Sequence, residues 1–114
     1  MRIRTDLTDG ILVLACRGTM TLGAGADELG DAFELGLREG GASGIVLDLT
    51  KLSYLDSAGV GAVVACAKRA AASGLVMKVA LASEGPVRKI FWITQLERNF
   101  EIFDDVASAI SSFK

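Results

Sequence analysis

Apolar residues along this chain fall into short runs, and each run is bounded by glycine and polar residues. The run ILVLACRG (Ile11–Gly18) follows a Thr-Asp-Gly turn and the segment IRT (Ile3–Thr5), which together predict an N-terminal β-hairpin. The runs GIVLDLT (Gly44–Thr50) and LVMKVALA (Leu75–Ala82) predict two buried strands. FEIF (Phe100–Phe103) predicts a short last strand.

Between these runs, apolar residues recur every three or four positions, which predicts helices. The first helix is predicted over Ala26–Arg38, where Leu29 and Phe33 lie on the apolar face. The second begins within the stretch YLDSAGVGAVV (Tyr54–Val64). Its predicted inward residues are Val60, Val63, Val64, Ala67 and Ala71.

Two more helices are predicted in the last third of the chain. One starts at Pro86, since proline suits the first position of a helix. The other covers Val106–Phe113, and one of the two aspartates that precede it would cap it. Trp92 and Ile93 fall outside the apolar face of the third helix, so they are candidates for a partner or homodimer patch.

The resulting order of elements is ββαβαβαβα. Strands that alternate with helices predict an α/β fold, here a single-layer mixed, largely parallel β-sheet with an N-terminal hairpin, backed by about four helices. No repeat, linker or low-complexity segment interrupts the pattern. Residues 1–114 are therefore expected to form one domain, which is long enough for its own core.

Charge and hydropathy restrict the partners. The chain has 12 basic and 14 acidic residues, and no basic stripe with interleaved aromatics, so nucleic-acid binding is not expected. No apolar run reaches the roughly 18 residues needed to cross a bilayer, and the N-terminus lacks a signal-peptide core. These features predict a cytoplasmic protein without membrane insertion.

The absence of histidine excludes several kinds of catalytic site. Ser-His-Asp and Cys-His mechanisms and histidine-based metal sites all need an imidazole. A serine-hydrolase elbow would also need glycine where Leu55 stands. The only two cysteines, Cys16 and Cys66, lie in apolar segments and are expected to be buried packing residues.

The stretch YLDSAGVGAVV carries the candidate chemistry. Gly59 and Gly61 start like a dinucleotide-binding fingerprint, but Val64 stands where glycine or alanine is needed. The glycines are therefore interpreted as permitting a tight turn and close packing. Asp48 is expected to end its strand or to brace the loop that contains Asp56.

Ser57 has more than one interpretation at this stage. A serine before a helical stripe is a good N-cap, which needs no further function. A helix start also tolerates a phosphate, so the functional alternative is that Ser57 is a phosphorylation site whose new charge would repel a docked partner. A third interpretation uses the same helix start as an anion site for a nucleotide.

The segment IVLDLTKLSYLDSAGVG (Ile45–Gly61) closely resembles the signature of the STAS domain, found in bacterial anti-sigma factor antagonists and in anion-transporter tails. GPVRKIFWITQLERNFEIFDDVASAI (Gly85–Ile110) is similar to the C-terminal half of that family. The resemblance covers essentially the whole chain. It implies a small α/β domain with a mixed sheet, no enzymatic activity and no cofactor.

In antagonist members of that family, the serine that matches Ser57 is phosphorylated by a partner that is both kinase and anti-sigma factor. The resemblance implies that the unphosphorylated domain binds this anti-sigma factor and that a phosphatase restores binding. The loop beside the phosphosite corresponds here to Thr21 and Ala24, and its glycines are expected to make it flexible. The implied partner-binding residues are Asp56, Ser57, Ala58, Gly59, Val60, Gly61 and Thr21. A scaffold or transporter-associated STAS protein, with Ser57 only a helix cap, is the alternative.

Overall fold

The structure, a computed structural model, describes residues 1–114. Five strands and four α-helices follow one another in the predicted order, and a short 3₁₀ turn over Leu96–Arg98 follows the third helix. No helix is long and apolar enough to cross a membrane. The elements are β1 (Arg2–Thr8), β2 (Ile11–Met20), α1 (Ala26–Glu39), β3 (Gly44–Leu55), α2 (Ser57–Ala72), β4 (Met77–Ala80), α3 (Pro86–Ile93), β5 (Ile102–Phe103) and α4 (Val106–Ser111).

The five strands form one sheet in the order β1-β2-β3-β4-β5. Strands β1 and β2 are antiparallel, and the hairpin turn places Asp9 and Gly10 at positive φ (53° and 77°), as a two-residue primed turn requires. The other three pairs are parallel. The predicted mixed, largely parallel sheet with an N-terminal hairpin and four helices is therefore confirmed.

Alternate residues of β2 face opposite sides of the sheet. Leu12, Leu14 and Cys16 belong to the main core, which helices α1, α2 and α3 cover. Ile11 and Val13 face the other side, where they pack in a smaller cluster with Ala109 of α4. Because α4 has only six residues, it covers one part of that second face.

Strand β3 is longer than predicted and runs to Leu55 instead of Thr50. Asp48 causes an irregularity in it, since its Oδ1 accepts hydrogen bonds from the backbone N–H of Thr50 at 2.9 Å and from the Thr50 hydroxyl at 2.7 Å. The pairing with β2 shifts here, from Ala15 opposite Asp48 to Arg17 opposite Lys51. Asp48 therefore shapes a β-bulge. The expectation that it would end the strand or brace the Asp56 loop is wrong.

Strand β4 is shorter than predicted, covering Met77–Ala80. Leu75 instead donates its N–H to the Ala70 carbonyl at 2.9 Å, which closes the end of α2. At α4 the cap is Asp105, whose side chain accepts from the Ser108 N–H. Trp92 is 69% exposed and Ile93 is 59% exposed, so both lie outside the core as predicted.

The predicted inward face of α2 is rotated relative to the observed one. Its buried residues are Gly59, Val63, Cys66 and Ala70, whereas Ala71 is exposed and Val60, Val64 and Ala67 are half-buried. Alanine and valine occur on all sides of this helix, so the apolar pattern alone cannot show which side faces the core. Cys16 and Cys66 are buried as predicted, and burial raises the pKa of each thiol to about 12, which leaves them unreactive.

Candidate functional site

Helix α2 begins directly after strand β3, and Asp56 forms the junction. Its backbone is extended (φ −99°, ψ −169°), and its Oδ1 accepts a hydrogen bond from the Gly59 N–H at 3.0 Å. A residue that satisfies a free N–H of the first turn in this way is the N-cap. The interpretation of Ser57 as the cap is therefore wrong, because the residue before it supplies the oxygen.

Ser57 is consequently the first residue inside α2, and it is exposed. Asp56 performs the capping, so the Ser57 hydroxyl has no part in holding the helix start. The first turn of α2 contains no acidic residue, and the positive end of the helix dipole lies there. A phosphate attached to Ser57 would meet a favourable backbone field and would leave the helix start intact.

Asp56 also ties the loop after β2 to the start of α2. Its Oδ2 accepts a hydrogen bond from the Leu22 N–H at 3.1 Å, and its own N–H donates to the Met20 carbonyl at 3.3 Å. The two carboxylate oxygens thus hold two separate chain segments, one on each side. Asp56 fixes the position of Ser57 relative to this loop.

The loop over 21–25 is closed by its own hydrogen bonds. Thr21 donates its N–H to the Ala24 carbonyl at 2.7 Å, and Ala24 donates back to the Thr21 carbonyl at 3.0 Å. The Thr21 hydroxyl adds a third bond to the Ala24 carbonyl. These bonds and the Asp56 anchor hold the loop in a closed turn, while the flexibility expected from its glycines stays a prediction.

Leu22 lies in this loop with 82% of its surface exposed. The sequence reasoning missed it, although a leucine between Thr21 and Gly23 in a stretch of small residues is a usable signal. Its backbone is held by Asp56, so an apolar side chain is presented close to Ser57. A single exposed apolar side chain is common on protein surfaces, so Leu22 is notable only for its position beside the candidate modification site.

The two glycines of the first turns have different roles. Gly59 is buried, and a Cβ there would collide with the Met20 carbonyl oxygen and lie 2.8 Å from the Leu55 Cβ. Gly61 is exposed, and a Cβ there would meet nothing within 4 Å. Gly59 therefore lets α2 pack against the end of β2, and the accessible part of the helix start comprises Ser57, Gly61 and the half-buried Ala58 and Val60.

A groove of about 600 Å³ runs between α1 and α2 and includes Leu22 at the end nearest Ser57. Its α2 side includes three alanines, Ala58, Ala62 and Ala65, together with Cys66 and Arg69. Its α1 side is acidic, with Asp27, Asp31 and Glu34, and Glu34 is paired with Arg69 at 3.5 Å. The surface beside Ser57 is therefore shallow, partly apolar and predominantly negative.

Hydrogen bonding makes Asp56 sensitive to acid. The Gly59 N–H, and next the Leu22 N–H, lower the pKa of Asp56 below its ordinary value. A carboxylate with a lower pKa in the folded state stabilises the protein above the pKa of the unfolded chain, about 3.9, and loses this contribution as the pH falls through the folded value.

We expect Asp56→Asn to reduce the loss of stability between about pH 5 and pH 2, measured by urea unfolding at a series of pH values. Asp27→Asn, on the exposed first turn of α1, is the control, and an unchanged acid dependence in Asp56→Asn would contradict the assignment.

Comparison with known proteins identifies the family. The model of the STAS domain matches residues 2–109, which is nearly the whole chain. The chain belongs to the STAS domain family. Within this STAS domain, the Asp56-Ser57 pair and the Thr21–Gly25 loop occupy adjoining positions because β2 and β3 are parallel neighbours.

Solved structures of low sequence identity share the same fold. An anti-sigma factor antagonist from Mycobacterium paratuberculosis superposes with a TM-score of 0.82 at 18% identity, covering 97% of this chain and 92% of that one. The phosphorylated form of the Bacillus cell fate determinant SpoIIAA gives 0.69 at 19% identity, with coverages of 99% and 100%. A sulfate transporter family protein from Wolinella succinogenes gives 0.77 at 14% identity, with coverages of 94% and 87%.

Proposed function

We propose that residues 1–114 act as one cytoplasmic STAS domain of the anti-sigma factor antagonist type. In the unphosphorylated form the domain binds an anti-sigma factor that is also a serine kinase. Phosphorylation of Ser57 by that kinase ends the complex, and a phosphatase that acts on Ser57 restores it. The domain itself is not an enzyme and uses no cofactor.

One observation supports this proposal above the others: Asp56 caps α2, so the exposed Ser57 has no structural duty. A serine retained only as a cap would need to occupy the capping position. SpoIIAA, whose structure is described in a phosphorylated form, has the same fold. An accessible serine at a helix start is also chemically suited to receive a phosphate.

The charges around Ser57 explain how one phosphate would act as a switch. A phosphoserine adds about −1.5 to −2 charges at neutral pH. It would lie beside Asp56 and at the end of the groove that Asp27 and Asp31 line. A partner that fits this surface when Ser57 is neutral would then have to desolvate a dianion, while the helix start would retain its cap.

The proposed contact surface combines the residues named from the sequence with one that the structure adds. It comprises Ser57, Ala58, Val60 and Gly61 of α2, Thr21 and Leu22 of the adjoining loop, and the rim formed by Asp56. Gly59 is left out because it is buried. Trp92 and Ile93 lie on α3 and remain a separate candidate surface, for a partner or for a second copy of the chain.

Intact-mass and peptide-mapping measurements on the chain from its native host test the proposal. We expect a gain of one phosphate, located to the peptide that contains Ser57, and its absence in Ser57→Ala. A chain that stays unmodified through stress and stationary growth, and that resists candidate kinases in vitro, would reject the switch. Phosphate on another exposed serine, such as Ser83, would place the switch elsewhere.

The transporter-like neighbour supports a second candidate, a scaffold or accessory subunit without a switch. The sulfate transporter family protein shares the fold at a TM-score of 0.77. In that case Ser57 would be an ordinary first residue of a helix, and its modification state would not affect complex formation. Unchanged partner binding by Ser57→Asp would favour this second candidate.

A further inference from the structure

Four basic side chains gather on the face of the sheet opposite α1 and α2. Strand pairing sets Arg2 opposite Arg17, and Arg17 opposite Lys51, in a row across three strands. Neighbouring strands lie about 4.8 Å apart, so the Cα atoms of Arg2 and Lys51 are roughly 10 Å apart. Arg4, opposite Ala15, stands beside this row. These four account for a third of the 12 basic residues of an otherwise acidic chain.

The four side chains enclose a concave site, here called the basic cup. It has a volume of about 460 Å³, and its remaining lining residues are Ile3, Ala15 and Cys16. Ala15 leaves the centre open because its side chain is short, and helix α4 packs further along this face, over Ile11 and Val13. All four cations are exposed.

Structural needs do not account for the basic cup. Charged residues on the edge strand β1 could serve only to discourage pairing with another chain, which would explain Arg2 and Arg4. Arg17 lies between paired strands on both sides and Lys51 lies on β3 just beyond its last β4 partner, so an edge role cannot explain Arg17, and like charges directly opposite each other are destabilising. None of the chain's ion pairs involves any of the four.

A β-bulge in β3 places Lys51 in the row. One extra residue is inserted in β3 here, since two residues, Leu49 and Thr50, separate Asp48 from Lys51, whereas only Cys16 separates their partners Ala15 and Arg17. The two hydrogen bonds from Thr50 to Asp48 hold this bulge, and without it Thr50 would lie opposite Arg17. Asp48 also faces this side of the sheet but already accepts those two bonds, and Asp6, opposite Val13, lies beyond Arg4. Bulges often re-aim a side chain at a functional site.

We propose that the basic cup binds a compact anion that carries two or more phosphate groups. Each guanidinium can pair with phosphate through two parallel hydrogen bonds. A phosphate group carries about −1.5 to −2 charges and a carboxylate only −1, so phosphates best neutralise four cations within a small volume. The four cations form a compact cluster, which does not suit an extended nucleic acid that needs a stripe, and the only large apolar side chain exposed nearby on this face is the single Tyr54, which does not make a membrane-binding surface.

This site lies on the opposite side of the sheet from α2 and is independent of the proposed switch. Titration calorimetry of the full chain with inorganic pyrophosphate at constant ionic strength tests it, with citrate as the carboxylate probe. We expect saturable binding of one pyrophosphate per chain, weaker at higher salt, and markedly weaker binding of citrate. Arg17→Gln should weaken pyrophosphate binding about tenfold or more, because it removes one charge-assisted pair.

Lys68→Gln, an exposed lysine of α2, is the matched control and should bind pyrophosphate like the wild type. Without ligand, the melting temperature of Arg17→Gln should be equal to or above that of the wild type, since one like-charge repulsion is removed. If that variant does not fold, Lys51→Gln replaces it with the same expected result. Absence of saturable binding, equal weakening by Lys68→Gln, or tight binding only of anionic vesicles or acidic peptides would overturn the proposal.

Discussion

Replacing Gly59 with alanine is expected to lower the free energy of unfolding by about 3 kcal/mol. The added methyl would collide with the Met20 carbonyl oxygen and lie 2.8 Å from the Leu55 Cβ. Neither atom is at the end of a flexible side chain, so helix α2 or the end of β2 must move. Because Met20 and Leu55 are fully buried, that movement would disturb the core.

Gly61→Ala, two residues along the same helix, is the matched control. A Cβ there would meet nothing within 4 Å, and alanine is favoured over glycine in a helix by about 1 kcal/mol. We therefore expect Gly61→Ala to raise stability while Gly59→Ala lowers it, both measured by urea unfolding monitored by circular dichroism. Equal effects of the two substitutions would show that α2 does not pack as closely on β2 as the structure indicates.

Replacing Ser57 with aspartate is expected to weaken binding of the proposed partner, an anti-sigma factor, by about a hundredfold. Placing a new charge in a contact surface that already contains Asp56 costs several kcal/mol when the partner must desolvate it, and a hundredfold loss corresponds to about 2.7 kcal/mol. The fold should persist, because Asp56 still caps the helix and an acidic residue in its first turn is favourable. Calorimetry for binding and urea unfolding for stability separate the two effects.

Two control variants make this measurement specific. Ser57→Ala should bind the partner like the wild type, because the hydroxyl is not needed for the unphosphorylated complex. Ser73→Asp introduces the same charge at the other end of α2, about 24 Å away, and should leave binding unchanged. A loss of binding in Ser73→Asp would mean that net charge, and not the position of Ser57, controls the complex.

Much of the fold could be predicted from the sequence because its elements differ in period. The apolar run of β2 and the helical spacing of Leu29 and Phe33 give different repeats, and both elements formed as predicted. Strand β3 extended beyond Thr50 because pairing with β2, which is a tertiary interaction, continued through polar residues. The inward face of α2 was predicted wrongly for a different reason, because alanines lie on every side of the helix and give no clear apolar stripe.

The structure brings the predicted site residues together at one edge of the sheet, but the helix cap is Asp56 and not Ser57. Aspartate and serine are about equally good N-caps, so the pair Asp56-Ser57 could not be ordered from propensity alone. The restraint on the Thr21–Gly25 loop depends on a hydrogen bond from Leu22 to a residue 34 positions later, which no local pattern contains. The basic cup depends on strand register and on one bulge, so its four residues look unrelated in the sequence.

The order of strands across the sheet is the order of strands along the chain. Each strand can therefore pair with its predecessor as soon as it leaves a ribosome, without waiting for later sequence. Only α4 must return across the sheet, since Ala109 packs in the same cluster as Ile11. We expect the nascent chain to assemble its sheet progressively from the hairpin, with the docking of α4 as the late step that completes folding.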